Sequence, residues 1–162
     1  ETAREKVDEA FGLARKAQQD LTVLIQELRP PDLEEKGLVT AMREHGNRWS
    51  HRTGIESAFV GEVSGSLPLE VEQALYRVAQ EALANVAKHS GADCVEIHLA
   101  PDGDRVRLTV RDDGTGFDVA EAWGTGMGLR SMRERVVALG GDLTLDSGSD
   151  GTEVRAIVPV SS

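Results

Sequence analysis

Cysteine is nearly absent from these 162 residues: Cys94 stands alone, which excludes an internal disulfide and fits a reducing compartment. Aromatic residues make up only 4%, so a core has to be assembled from Val, Leu, Ile and Ala. Basic side chains are in the minority, 18 Lys and Arg against 28 Asp and Glu, for a formal net charge of −10. Nucleic acid and anionic membrane surfaces both call for basic patches, so neither is expected as a partner. No apolar run approaches the roughly eighteen residues of a membrane span, and no secretory leader pattern opens the chain. The first residue is Glu1 and not Met, which suggests a piece of something longer. Also missing are GxxxxGKS/T, HExxH, GxSxG and CxxC, and with them P-loop, zincin, hydrolase-elbow and thiol-redox chemistry. The length suits one domain, or one domain and an appendage.

What is present centres on residues 112–129. Val106 to Val110 alternates like a strand, and Asp112-Asp113-Gly114-Thr115-Gly116 follows where it stops. After a short gap comes Gly124-Thr125-Gly126-Met127-Gly128-Leu129, and Arg130 to Leu139 then reads as a helix. Glycine lets backbone approach a ligand closely, and a helix start beside free N–H groups suits phosphate. One glycine cluster alone is usually a surface loop; two, with a carboxylate at the strand end, point to a binding site. GTGMGL is not GxGxxG, and the strand–helix–strand context of a dinucleotide fold is not expected around it.

Thr2 to Leu28 is helical in pattern, with Val7, Phe11, Ala14, Gln18, Leu21, Ile25 and Leu28 on an a/d seam widened by Ala10, Ala17 and Leu24. Such a stripe wants a partner helix, or else folds back on the rest of the chain. Pro30-Pro31 ends this helix, and the domain boundary is placed there, giving units 1–30 and 31–162. A helix from Gly37 to about Ser50 and a strand from Ile55 to Val63 follow, with His45 and His51 expected on the surface.

Ser66 is the expected cap of a long helix that runs to about Ser90 and stops at Gly91. Val71, Ala74, Leu75, Val78, Ala79, Ala82 and Val86 form its buried stripe. Glu81, Asn85, Lys88 and His89 run along one flank, either as a solvated edge or as part of a site. Two strand pairs complete the chain, 93–100 with 104–112 across Pro101-Asp102-Gly103, and 143–145 with 152–160. Hairpins between helices predict an α+β fold, a two-layer α/β sandwich with a mixed sheet, preceded by a long bundle helix.

Glu81-Ala-Leu-Ala-Asn85-Val-Ala-Lys88-His89 resembles the N box of the histidine-kinase/gyrase-type ATP-binding (Bergerat) fold. Asp112-Asp-Gly114-Thr-Gly116 resembles its first glycine box, and Gly124-Thr-Gly126-Met-Gly128-Leu129 its second; Gly151-Thr152 matches a further position. Leu28-Arg-Pro-Pro-Asp-Leu and Gly128-Leu129-Arg-Ser-Met132-Arg-Glu-Arg135 resemble two-component sensor kinases related to nitrate and membrane-fluidity sensors, as does the short lid between Gly116 and Gly124.

The resemblance implies ATP and Mg²⁺ as cofactors. Asp112 would take the adenine amino group, Gly114 and Gly116 would give the ring room, and Thr152 would sit beside it. Asn85 would hold Mg²⁺; Lys88 and His89 would face phosphates or ribose; Gly124, Gly126, Gly128 and Leu129 would wrap the phosphates, with 118–125 as a mobile lid. Glu81 would polarise the accepting imidazole or order the Mg²⁺ shell. The family's phosphoacceptor is a His followed by an acid on the first helix of a dimerisation hairpin. None of His45, His51, His89 and His98 has that context, so residues 1–30 are read as the second helix of that hairpin. The implied partners are the kinase's own acceptor helix, in a homodimer, and a response regulator. The implied location is the cytoplasmic part of a membrane-anchored sensor. An anti-sigma-type serine kinase and an interaction module with a vestigial nucleotide site are the alternatives.

Overall fold

The computed structural model describes residues 2–27 and 30–161, so Leu28 and Arg29 of the sequence motifs above lie outside the described residues. The chain divides into two units, 1–31 and 32–162. In the first, helix α1 spans Ala3–Glu27. Thr2 and Glu5 cap it reciprocally: the Thr2 N–H donates to Glu5 Oε2 at 2.6 Å, and the Glu5 N–H to Thr2 Oγ1 at 3.4 Å. Its seam residues Val7, Phe11, Leu21 and Leu24 are exposed; the side chain of Ile25 is not among those described. Among the described residues no helix is long and apolar enough to cross a membrane.

The second unit layers helices on one face of a five-stranded sheet. Pro31, which cannot continue a helix, begins the short α2 (Pro31–Lys36) instead, since a first helical position needs no N–H donor. Helix α3 follows at Leu38–Thr53, then strand β1 at Glu56–Gly61. Helix α4 covers Leu69–Asn85; its N-cap is Pro68, with no side-chain cap, so the expected capping role of Ser66 is not taken up. The sheet continues with β2 (Cys94–Asp102) and β3 (Arg105–Asp112). After helices α5 (Val119–Thr125) and α6 (Met127–Ala138) it closes with β4 (Asp142–Gly148) and β5 (Gly151–Pro159).

The strand order is β1-β2-β3-β5-β4, with β1 parallel to β2 and every other pair antiparallel. The sheet is therefore mixed, as expected, but its parallel pair belongs to a strand–helix–strand unit, β1–α4–β2, whose connection contains neither glycine box. In the β2–β3 hairpin, Pro101 and Asp102 pair with Val106 and Arg105, so the turn is Gly103-Asp104 and not the Pro-Asp-Gly run expected.

Period-two alternation sends Val95, Ile97 and Leu99, then Val106, Leu108 and Val110, then Val154, Ala156 and Val158 to the helical side. Against them lie Leu75, Val78 and Leu83 of α4, Met42 and Trp49 of α3, and Met132 and Val136 of α6, all buried. The largely aliphatic core matches the scarcity of aromatics. His45, expected on the surface, is half-buried and set edge-on to Tyr76 with ring centroids 5.8 Å apart; burial holds its pKa below the ordinary value.

Candidate functional site

The site forms where the end of α4 meets the ends of β3 and β5. After Asn85 the helical path continues through one π-helical turn, Val86–Ser90, and stops at Gly91 in the left-handed region, φ 60°. The wider turn brings Ser90 under the first glycine box. Its hydroxyl donates to the Val86 carbonyl at 2.8 Å, while its carbonyl accepts the Thr115 N–H at 3.0 Å. A Cβ on Gly114 would fall 2.3 Å from that same carbonyl, so this approach requires glycine.

Asp112 is the last residue of β3, in register with Val95 on one side and Thr152 on the other. It is only 4% exposed and, among the described residues, shares the buried polar class with Ser90 and Thr152 alone. Its Oδ1 accepts the Gly114 N–H at 2.8 Å. Burial raises its pKa above the ordinary carboxylate value, against the opposing pull of the Gly114 and Thr152 backbone N–H groups. Asp113 serves the fold instead. Its Oδ1 accepts the N–H groups of Asp93 and Cys94, at 2.9 and 3.0 Å, which ties the box to the start of β2. Those bonds, Cys94's first, lower its pKa.

The far wall is the β4–β5 hairpin. Gly151 has φ 115°, and a Cβ there would fall 1.9 Å from the Asp112 carbonyl oxygen, so only glycine allows β5 to close on β3 at this point. Gly116, φ 73°, approaches the Gly148 carbonyl just as closely, with 2.1 Å left for a Cβ. The Phe117 N–H donates to Ser147 Oγ at 2.9 Å, and the Ser147 and Thr152 hydroxyls are 2.8 Å apart.

Residues 118–125, expected as a lid, include helix α5, capped by Asp118, whose Oδ1 accepts the Glu121 N–H at 2.9 Å. Gly126 ends α5 through its N–H to the Ala122 carbonyl and opens α6 by accepting the Arg130 N–H. The Glu81 carboxylate of α4 reaches so close to the start of α6 that a Cβ on Gly128 would fall 2.0 Å from its Oε1.

These elements enclose a cavity of about 430 Å³, within the range of small-ligand sites. Of the residues singled out from the sequence, Asn85, His89, Asp112, Gly126, Gly128, Leu129 and Thr152 line it. Glu81, Lys88, Gly114, Gly116 and Gly124 do not; Glu81, Gly114 and Gly116 shape its rim through the contacts above, while Lys88 and Gly124 are exposed. Sequence reasoning passed over Ser90, Phe117, Asp118 and Glu121, which also line it. Only the Asp118-x-x-Glu121 spacing carried a readable signal, that of a helix start.

Among the described residues no group of three or more His, Cys, Asp or Glu is placed to hold a metal ion. A lone amide oxygen, Asn85's, on a cavity wall suits a hard cation that arrives with phosphate oxygens and water as its remaining ligands, which is how Mg²⁺ is bound.

Residues 70–162 match the family described as histidine kinase-, DNA gyrase B-, and HSP90-like ATPase. The sensor histidine kinase MctS of Rhizobium johnstonii is 36% identical over 162 residues, 96% of this chain and 35% of that protein. The oxygen sensor histidine kinase NreB of Staphylococcus carnosus is 33% identical over 153 residues, 93% of this chain and 44% of that protein. The chain thus spans between about a third and a half of these curated relatives. Among solved structures, the histidine kinase domain of the blue-light activated kinase of Erythrobacter litoralis superposes with a TM-score of 0.64 at 25% identity, over 76% of this chain and 61% of that one.

Proposed function

Since the chain belongs to the histidine kinase-, DNA gyrase B- and HSP90-like ATPases, we propose that it is the catalytic domain of a sensor histidine kinase that passes the γ-phosphoryl group of ATP to a histidine outside these 162 residues. The observation that carries the reading is Asp112, a carboxylate buried on the cavity wall between backbone donors, with acceptor capacity facing a purine-sized space. It takes the adenine amino group, and Thr152, paired with it in register, takes a ring position beside it. Gly114 and Gly116 keep the backbone low against the base.

Asn85 offers its side-chain oxygen to Mg²⁺. Lys88 and His89 face the phosphates or ribose, and Gly124, Gly126, Gly128 and Leu129 wrap the phosphates where α6 begins. Glu81, against Gly128, polarises the accepting imidazole or orders the Mg²⁺ shell. Bound Mg²⁺ supplies charge neutralisation on the phosphate oxygens. The acceptor nitrogen attacks the γ-phosphorus in line and ADP leaves, so the protein's share of the work is placement.

The partners of this reading are the kinase's own acceptor helix in a homodimer, with residues 1–30 as the second helix of that hairpin, and a response regulator. The lone cysteine supports a cytoplasmic setting. Calorimetry with MgATP tests the site. The chain binds, Asp112→Ala abolishes binding while the fold is kept, and Asn85→Ala removes the Mg²⁺-dependent part. Equal affinity of Asp112→Ala and the parent chain would refute the assignment.

A further inference from the structure

Ser147 lies on β4, half-buried, where three segments of the site meet. Its oxygen accepts the N–H of Phe117, the residue just before the cap of α5, at 2.9 Å. The same oxygen is 2.8 Å from the hydroxyl of Thr152, its cross-strand partner on β5 and part of the cavity wall. One side chain therefore joins the root of the lid helix to the surface that a base would touch.

A hydroxyl has one proton to give and two lone pairs to receive with. When Thr152 donates to Ser147, the Ser147 oxygen accepts twice, and each bond competes with the other. When Ser147 donates to Thr152, its oxygen becomes a better acceptor for Phe117, and the Thr152 proton is released toward the cavity. Chains of hydrogen bonds that run one way strengthen each member. An acceptor nitrogen on a bound purine selects this second arrangement.

We propose that Ser147 is a positioning residue that transmits occupancy of the base site to the lid. A purine acceptor aligns Phe117 N–H to Ser147, Ser147 O–H to Thr152 and Thr152 O–H to the base, and so tightens the hold on Phe117. The inference rests on the ATP-site reading above and adds to it a route by which the base reaches α5.

The test follows the Phe117 amide by hydrogen-exchange NMR in the full chain, with and without MgADP, for the parent, Ser147→Ala and Ser147→Thr, beside calorimetric titrations of each. MgADP slows exchange at Phe117 in the parent and in Ser147→Thr, which keeps the oxygen. In Ser147→Ala the amide exchanges faster and ignores the nucleotide, and the Kd for MgADP rises roughly tenfold, as expected for one lost hydrogen bond. A parent chain that binds MgADP with no change at Phe117 overturns the proposal. Equal loss in Ser147→Ala and Ser147→Thr does so too, because packing and not the hydroxyl would then be responsible. Failure of the parent chain to bind MgADP sinks the ATP-site reading itself, and this proposal with it.

Discussion

Asp112 joins a cost to a use. Burial favours its protonated form in the folded chain, so the folded pKa lies above the ordinary carboxylate value of 3.8. The stability this contributes is complete below that ordinary value and is lost as pH rises through the folded pKa. Above that folded pKa the ionised, nucleotide-ready side chain is thus a burden on the empty fold. Asp112→Asn, which keeps an oxygen for the Gly114 N–H, is expected to raise Tm by a few degrees at pH 7. The gain should shrink toward pH 4, and affinity for ATP should fall by about 1.5–3 kcal/mol as the charged acceptor is lost. Thermal melts from pH 4 to 8 beside calorimetry check both; an unchanged or lower Tm at pH 7 would contradict the account. The position of Asp112 was legible because alternation through Val106, Leu108 and Val110 sends the next even residue inward. The role of Asp113 was not, since its partners, Asp93 and Cys94, are set by the register of another strand. The Ser147–Thr152 pair was hidden for the same reason.

At the scale of elements, strong periodicity was readable and local geometry was not. The α4 stripe emerged from its spacing except for the buried Tyr76 and Leu83, and the stop at Gly91 was read as well, but a stripe does not reveal that the last turn is π-helical. That the lid segment is helical was not read, because glycine at both ends outweighed the capping spacing inside it. A seven-residue helix is marginal by itself, so α5 depends on tethers: the Asp118 cap, the Phe117 bond to Ser147, and the Arg133 guanidinium 5.3 Å from the Trp123 ring centroid. The last reaches from α6 and is worth about 0.5–1 kcal/mol at a partly exposed site. With Trp49 replaced by Phe, Trp123 emission should change when a non-hydrolysable MgATP analogue binds. Arg133→Gln should shift the nucleotide-free spectrum to the red as the ring loses its cover. Identical spectra in all three states would argue that α5 does not respond to the site.

For the whole molecule, the histidines set the expected limits of activity. His45 is half-buried against Tyr76, His89 lines the cavity, and His51 and His98 are exposed without the acidic successor an acceptor needs. Incubated alone with radiolabelled ATP, the chain should take up no acid-labile, base-stable label. Supplied with a helical fragment bearing an acceptor histidine, it should label that fragment; label on the chain alone would overturn the claim. The two-layer class was legible in the order of helices and strands, but the strand order was not, because nothing local specifies that β5 inserts between β3 and β4. That insertion has a consequence for how the protein is made. Asp112 and Thr152 are neighbours in the sheet, yet the ribosome releases one some forty residues before the other (152 − 112). A nascent chain already holds Asn85, Asp112 and both glycine boxes while the opposite wall is still unsynthesised, and closing so long a span is among the slow steps of folding. Nucleotide is therefore expected to add its full binding energy only once β5 has docked beside β3.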